Sequence, residues 1–503
     1  MKKSKLALFA LTVVLLALST ALAAPPKDTV IIAQGVDPST LDPANHQETP
    51  AFNICLNIFD TLLVRDDQLK MQPLLATSYR LINENTWEFK LRQGVTFHNG
   101  EKFNAESVKY TLERMADPKN KLRQSFFQGV IERVEVPDEY TARVITRKPY
   151  PYLDAQLSHI GHMLPPKYSQ EKGPAHFAAN PIGTGPYKFV RWVKDDQLLL
   201  EANDQYWQGV PKIKKVIFRP IPEATTRVAG LQTRELDLIV NIPPHLSKLM
   251  DWKGRSYVSK VPSSRAIFLA FDNTKGGPVA DKRVRLAIAH AVNLENIIKK
   301  VLDGNGINLG TPLTPYHFGY DPSFKPHVYN PERAKKLLAD AGYPNGFDLT
   351  LNSPNGRYLN DKEVSEAVVG DLRKAGINAQ VRIHEWGTYI NMLYAHNGHP
   401  SYLLGWGGAT FDADGTFFPL LRTKQVLSHF THPPLDGLID EARSIMDKKK
   451  RLDLYKQANK IFQEEVPWAF AYQQLDIYGV SDRLNWKSRG DEKIFVYNMS
   501  FKK

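Results

Sequence analysis

The 503-residue sequence contains a single cysteine, Cys55, so the chain cannot form an internal disulfide bond. The fold must therefore depend on the packing of its core rather than on covalent cross-links. Cys55 lies in the apolar run FNICLNIF, where we expect a small buried side chain rather than a nucleophile. Apolar residues make up 42% and charged residues 23% of the chain, which is ordinary for a folded protein, and the length predicts two or three domains.

Long hydrophobic runs are absent except at the N-terminus. Three lysines lie within the first five residues, an apolar stretch occupies 6–18, and the small-residue pattern ALA occupies 21–23. This layout is typical of a secretory signal peptide over residues 1–23 that is cleaved after Ala23. The alternative is a membrane anchor, but about 13 apolar residues fall short of the roughly 20 that span a bilayer. No cysteine follows the cleavage position for lipid attachment, so we expect a free periplasmic protein.

The net charge does not indicate a polyanionic partner. It is formally +12, and removal of the signal peptide with its three lysines lowers it to +9. A charge of this size can attract nucleic acid or an anionic membrane surface. The basic residues are nevertheless spread along the chain, and the longest run, at 448–451, falls on a predicted helix with a solvated face. We therefore predict no nucleic-acid binding and no direct membrane contact.

The glycine-rich segment GWGGATFDADG at 405–415 lacks the spacing of known ligand loops. No lysine follows for a phosphate loop, and the third glycine of a dinucleotide-binding turn is replaced. Aligned as a calcium loop, the segment has Leu421 where the bidentate glutamate is required. Asp412 and Asp414 form the candidate pair for acid/base catalysis, although two residues apart is a poor arrangement for flanking a sugar. Turn and cap roles are common for aspartate, and a secreted hydrolase stays open as the alternative.

Two His-x-x-His pairs, His159/His162 and His429/His432, have a spacing that could bind a metal on a helix. Prolines that follow each pair argue against helical geometry, and neither pair has a neighbouring cysteine or carboxylate to complete a site. The patterns GxSxG and HExxH are absent. We therefore predict no metal site and no cofactor.

Hydrophobic periodicity is clearest in the C-terminal half. Strand patterns at 347–353 and 378–386 enclose a helical pattern at 361–376, which predicts a β-α-β unit with parallel strands. A helix from about Tyr389 and a strand at 401–406 continue the alternation. The sequence therefore predicts an α/β fold.

Ligands of open α/β sheets bind beyond the carboxyl ends of the strands. The predicted strand ends bring seven candidate side chains towards one rim, namely Arg357, Tyr358, Glu385, Trp386, Tyr389, Trp406 and Asp412. The backbone of Gly405 and Ala409 belongs to the same turn. Tryptophan rings at strand ends can form the walls of a cleft, and the planar guanidinium of Arg357 suits a solute carboxylate.

Three segments resemble the hallmark segments of the extracellular solute-binding proteins of family 5, at 71–115, 180–189 and 281–293. These proteins are periplasmic receptors of ABC importers for peptides, glutathione, nickel chelates and some oligosaccharides. The resemblance implies a two-lobed periplasmic binding protein of type II (cluster C-like) with an extra inserted domain and no catalysis. Its lobes are expected to close on the solute by hinge motion. The expected partners are a peptide-like solute and the permease's transmembrane subunits, and the chain is expected to be a monomer.

The resemblance also implies domain boundaries that coincide with turn-rich stretches at 181–189 and 272–278. The implied segments are 28–48, 183–270 and 482–503 for domain I, 49–182 for the inserted domain II, and 271–481 for domain III.

One residue departs from the family pattern. The segment often reads GWxGD, with an aspartate that pairs with a dipeptide's ammonium group, and the matching position here is Ala409. Alanine cannot supply the charge-assisted bond that offsets the burial of an ammonium group. The resemblance therefore implies that plain dipeptides are not the ligand unless Asp412 takes over this role. An oligosaccharide or opine receptor, with Trp406 stacking on the solute, remains the alternative within the same fold.

Overall fold

The computed structural model describes residues 27–408 and 410–502. The predicted signal peptide and Ala409 lie outside the described residues. Within the described part, no helix is both long and apolar enough to cross a bilayer.

The strands of the described chain alternate with helices along much of the sequence. In chain order the strands are β1 (Thr29–Gln34), β2 (Leu63–Arg65), β3 (Met71–Pro73), β4 (Ala76–Asn83), β5 (Thr86–Leu91), β6 (Ile131–Asp138), β7 (Thr141–Thr146), β8 (Tyr187–Val193), β9 (Gln197–Ala202), β10 (Lys215–Pro220), β11 (Leu238–Ile239), β12 (Ser256–Phe271), β13 (Gly306–Leu309), β14 (Asp348–Pro354), β15 (Asn378–His384), β16 (Ser401–Trp406), β17 (Trp468–Ser481), β18 (Leu484–Asn485) and β19 (Ser500–Phe501).

The α-helices, in chain order, are α1 (Thr49–Ile58), α2 (Ala105–Ala116), α3 (Leu153–Leu157), α4 (Pro166–Ala179), α5 (Ala224–Gln232), α6 (Pro244–Ser247), α7 (Lys282–Ala291), α8 (Leu294–Lys300), α9 (Pro331–Asp340), α10 (Asp361–Lys374), α11 (Trp386–Tyr394), α12 (Asp414–Leu421), α13 (Pro433–Ala442) and α14 (Lys448–Glu465). Short 3₁₀ helices occur at Pro118–Asn120, Pro278–Ala280 and Val496–Asn498.

One large sheet runs through both lobes of the molecule. Its strand order is β15-β14-β16-β12-β17-β11-β1-β10-β9-β8, and β13 pairs with β17. The two long antiparallel strands β12 and β17 occupy the middle of this sheet. The second half of β12 pairs with β16 on one side, while the far end of β17 pairs with β11 on the other. Both strands therefore pass from one lobe to the other, and a register shift between Pro262 and Ala266 marks the crossing.

A smaller antiparallel sheet, β4-β5-β7-β6, lies within the predicted domain II and packs against α2. Asn104 caps α2 by accepting a hydrogen bond from the Glu106 amide. The apolar face of this helix is buried through Val108, Leu112 and Met115. The two-lobed α/β class is confirmed, while the exact domain limits stay a prediction.

The β-α-β prediction is confirmed in type and direction, because β14 is parallel to both β15 and β16. Helix α10 packs on these strands through its apolar face, and Gly376, with φ of +92°, terminates it. Two boundaries differ from the prediction. Strand β15 ends at His384, and α11 begins at Trp386 rather than near Tyr389. The side chain of Glu385 causes the early start, since it accepts hydrogen bonds from the first amides of the helix.

Cys55 lies in α1 and is completely buried. It belongs to a buried apolar cluster that also contains Ile32, Leu200 and Val216, from β1, β9 and β10. The expected role of this cysteine as a small core residue is therefore confirmed.

Candidate ligand-binding site

A cavity of about 70 Å³, partly open to solvent, lies between the lobes. Its walls come from parts of the chain that are far apart in sequence. They include residues within 47–53, 124–126, 159–160, 357–358, 386–390, 404–410 and 491–493, together with Arg265, Gly415 and Leu427.

Five of the predicted site residues line this cavity, namely Arg357, Tyr358, Trp386, Gly405 and Trp406. They meet because β14, β15 and β16 are parallel neighbours, so their carboxyl ends and the turns beyond them share one edge. The indole Nε1 of Trp406 donates a hydrogen bond of 2.7 Å to the Gly415 carbonyl oxygen. This bond fixes the ring at the cavity wall.

Tyr389 and Glu385 do not line the cavity, because both side chains form hydrogen bonds within the second lobe. Tyr389 is completely buried and its hydroxyl donates to the Leu403 carbonyl oxygen at 2.5 Å. Glu385 caps α11 through the amides of Gly387 and Thr388. Both side chains therefore hold the helix that presents Trp386.

The two aspartates of the glycine-rich segment also lie away from the cavity lining. Asp412 accepts two hydrogen bonds from Arg451, at 2.8 and 3.1 Å, and Asp414 lies 3.1 Å from the Nε of Arg443. All four side chains are at least nine-tenths buried. Neither carboxylate is placed to receive a solute's ammonium group or to act on a bond within the cavity.

Arg357 has the most unusual environment of the predicted residues. The loop that carries it is held by Asp361, whose carboxylate accepts hydrogen bonds from the backbone amides of residues 356–358. The guanidinium lies over the rings of Tyr358 and Trp386, at 4.8 and 5.2 Å from their centroids. Burial, together with the nearby Arg265, lowers the pKa of Arg357. Its side chain is nevertheless a cation at any ordinary pH.

No carboxylate in the described part of the chain forms an ion pair with Arg357, and its buried Nε has no hydrogen-bond partner there. An uncompensated buried cation is costly, so such a group is usually paired when the protein performs its function. The aromatic rings stabilise the cation only partly. The arrangement leaves the guanidinium free to bind an anionic group in the cavity.

Sequence patterns missed two charged groups in the same cavity, Arg265 and Glu492. The guanidinium of Arg265 donates to Glu492 Oε1, to the Gly405 carbonyl oxygen and to Thr49 Oγ1, each at 2.7 Å. These contacts join three distant segments, so no local motif could indicate them. They fix the backbone of Gly405 against α1.

Glu48 is a third missed residue, and it positions Trp386. Its carboxylate accepts hydrogen bonds from the Ser39 amide at 2.6 Å and from Trp386 Nε1 at 2.7 Å. The indole is therefore held from the opposite lobe, at the point where its face contributes to the cavity.

The histidines of both pairs have packing or capping roles in the fold. The rings of His159 and His162 pack around Phe52, at 4.3 and 6.3 Å between centroids. His429 is buried against Asp272, whereas His432 caps α13. Across the described residues, no cluster of histidine, cysteine and carboxylate side chains is arranged to hold a metal ion.

Asp476 lines a smaller pocket together with Arg357 and Glu492. Burial and the nearby Glu492 raise its pKa to about 8. The folded protein thus holds a proton on Asp476 between about pH 4 and pH 8 that the unfolded chain releases, so this group makes stability fall as pH rises through that range.

We expect Asp476→Asn to remove this contribution. Thermal unfolding measured from pH 4.5 to 9 should show the variant gaining stability over the parent as pH increases, with the largest gain above pH 8. A parallel pH dependence in both proteins would contradict the assigned proton.

A two-lobed α/β protein with a buried polar and aromatic cavity between its lobes is the architecture of solute-binding receptors. Residues 70–427 match the bacterial extracellular solute-binding proteins, family 5 Middle, and the chain belongs to this family. The expected family and the role as the substrate-binding receptor of an ABC importer are confirmed.

Three similar proteins are named for a ligand or were solved in complex with one. The glutathione-binding protein GsiB of Escherichia coli K12 is 29% identical over 451 residues, covering 87% of this chain and 88% of the relative. The ABC transporter-associated periplasmic binding protein DppA from Helicobacter pylori, in complex with the peptide STSA, superposes with a TM-score of 0.88 at 26% identity, covering 94% and 98%. AgaA from A. tumefaciens R10, in complex with agropinic acid, gives 0.85 at 25%, covering 94% and 99%.

Proposed function

We propose that this receptor captures a peptide-like solute whose carboxylate binds Arg357, and that it delivers the solute to a membrane permease. The observation that carries the proposal is the buried guanidinium of Arg357, which faces the cavity between two aromatic rings and has no carboxylate partner among the described residues. A carboxylate fits this group because the planar guanidinium binds it through two parallel hydrogen bonds. Glutathione and the peptide STSA, the ligands of the similar proteins, both carry such a group.

The loop that carries Arg357 also contacts the opposite lobe. The side-chain amide of Asn241 donates a hydrogen bond of 2.9 Å to the Arg357 carbonyl oxygen. Gly35, directly after β1, packs so closely on Gly356 that a methyl group would not fit between them. Solute binding and lobe closure therefore share one loop, which couples the solute to the closed state that is proposed to dock on the permease.

Export completes the proposed function. The layout of residues 1–23 supports cleavage after Ala23 and release into the periplasm, where the receptor would act without a lipid anchor. Edman sequencing of the mature protein from the periplasmic fraction should begin at Ala24. An intact N-terminus in the membrane fraction would contradict the proposed processing.

The carboxylate contact is tested by Arg357→Ala, with Arg382→Ala, an exposed arginine on β15, as the matched control. Isothermal titration of short peptides should show binding to the parent and the control. Arg357→Ala should lose about 2–5 kcal/mol, which is about thirtyfold to several thousandfold in affinity, because a buried charged pair is broken.

An unchanged affinity would remove Arg357 from the site. Mass spectrometry of the same mixtures should show intact peptides, whereas cleavage products would favour the hydrolase alternative. Binding of an oligosaccharide, with no response to any peptide, would favour the alternative receptor in which Trp406 stacks on a sugar.

A further inference from the structure

Six charged side chains line the cavity, and each of them is at most 8% exposed. The cations are Arg265, Arg357 and Lys493, and the anions are Glu48, Asp491 and Glu492. His159 also lines the cavity, and burial lowers its pKa well below its usual value, so the ring is neutral. Buried charges need a partner, so the pairing within this set indicates what a solute must supply.

Three of the six are compensated within the protein. Arg265 and Glu492 form an ion pair that includes a 2.7 Å hydrogen bond from Nε to Oε1. Asp491 accepts hydrogen bonds of 2.9 and 2.8 Å from Arg489, which lies outside this cavity. These groups need no charged partner from the solute.

Three charges form no ion pair among the described residues. The nearest opposite charges, Glu48 and Glu492 for Arg357 and Asp491 for Lys493, act on them only from beyond ion-pair distance. Arg357 has the environment described above. The Nζ of Lys493 donates one hydrogen bond, of 3.2 Å, to the Ser158 carbonyl oxygen, and no carboxylate among the described residues lies within ion-pair distance of it. Within the part of the chain that the structure describes, the Glu48 carboxylate accepts hydrogen bonds only from the neutral donors Ser39 N and Trp386 Nε1. Among the described residues, the cavity therefore offers two cations and one anion that are not engaged in an ion pair.

We propose that the solute carries two acidic groups and one ammonium group, that Arg357 and Lys493 bind the acidic groups, and that Glu48 binds the ammonium group. This inference rests on the proposed function. A neutral dipeptide would leave Lys493 buried without a partner, and an uncharged sugar would leave all three charges uncompensated. An acidic peptide compensates each of them.

Arg357 and Lys493 also line different neighbouring pockets, so the two acidic groups that they are proposed to bind lie apart. Lys493, Phe52 and His159 also line a second cavity, of about 260 Å³, which does not include Arg357. Arg357 instead lines the small pocket beside Asp476, which does not include Lys493. The acidic groups are therefore expected at different ends of the solute, as in a peptide with a main-chain carboxylate and a second carboxyl group.

Glu48 also accounts for the alanine at position 409. The aspartate that family members often carry there is absent from this sequence, and Asp412 forms an ion pair with Arg451. Glu48 supplies a buried carboxylate from a different lobe. The ammonium group is thereby recognised at a new position rather than left unpaired.

Matched peptides test the charge pattern. The probes are Glu-Ala-Ala, Ala-Glu-Ala and glutathione. Each is compared by titration calorimetry with a counterpart in which the carboxyl group other than the C-terminal one is an amide. In the parent, the acidic member of at least one pair should bind at least tenfold more tightly. N-acetylation of that peptide should weaken it in the parent and have little effect in Glu48→Gln.

Lys493→Met should reduce the acid-to-amide preference to nearly one, because the second acidic group then lacks a counter-charge. Lys493→Arg should keep the preference, and Lys487→Met, an exposed lysine in the same segment, should behave as the parent. Thermal unfolding of each variant establishes that it is folded, and the comparison within the parent needs no variant.

The outcomes separate the two proposals. Equal binding of acid and amide by the parent would overturn the second acidic group, and a preference retained in Lys493→Met would overturn the role of Lys493. Either result leaves a peptide receptor in place. If neither member of any pair binds, the peptide-like ligand itself is wrong.

Discussion

Gly35→Ala is expected to weaken solute binding at least tenfold while both lobes stay folded. A Cβ atom on Gly35 would lie 1.8 Å from the carbonyl oxygen of Gly356, which follows β14 in the other lobe. Gly35 does not have a positive φ, so alanine suits its local backbone. The clash therefore arises only when the lobes are closed.

The size of this effect follows from the population of the closed state. Apparent affinity falls in proportion to the fraction of molecules that can adopt the binding-competent conformation. A clash of this kind requires the backbone of one lobe to move back, and a cost of about 1.4 kcal/mol already gives a tenfold loss. The open form has no such contact to lose.

Calorimetry and small-angle X-ray scattering measure the two consequences together. Gly35→Ala should show reduced affinity and less compaction with solute, and its unfolding temperature without solute should be near that of the parent. Gly370→Ala is the matched control, because a Cβ atom there meets no neighbour within 4 Å. Parental affinity together with parental compaction in Gly35→Ala would show that this contact is absent from the solute-bound state.

Asp412→Asn is expected to lower the free energy of unfolding by about 3–5 kcal/mol, since it leaves a buried guanidinium without its counter-charge. Arg451 donates two hydrogen bonds to this carboxylate and lies over the rings of Tyr152 and Phe318, at 5.1 and 4.9 Å. Tyr152 belongs to the predicted domain II. The loss should therefore weaken the packing of that domain against the second lobe.

Urea unfolding followed by circular dichroism measures this loss. Glu332→Gln, which removes the charge from an exposed pair with Lys335, is the control and should change stability little. The folded fraction of Asp412→Asn should bind solute as the parent does. Unchanged stability combined with a large loss of affinity would show that Asp412 serves the solute rather than the fold.

Local sequence patterns predicted the elements that carry half of the cavity. The periodicity of 347–376 predicted β14 and α10, and parallel pairing placed Arg357, Trp386 and Trp406 at one edge. Their convergence needs no tertiary information beyond the direction of the strands. The rim was therefore predictable, but not which of its side chains face the solute.

Tyr389 and Asp412 show why the orientation of side chains was not predictable. The cap by Glu385 starts α11 three residues earlier than expected, which places Tyr389 inside the helix and against the core. Asp412 is bound by Arg451, which lies 39 residues further along the chain. Proximity to a strand end did not predict the contacts of either side chain.

The sequence by itself determined the α/β class and the strand ends that form one wall of the cavity, because these depend on local periodicity. It also determined the receptor family, because the family is recognised from the sequence of a few segments. Only the tertiary structure decided which charges are left for the solute. Glu48, Arg265 and Lys493 come from three distant segments, and a charge is free or compensated according to the distances between such segments. Since burial makes an uncompensated charge costly, those distances determine which solute the receptor can hold.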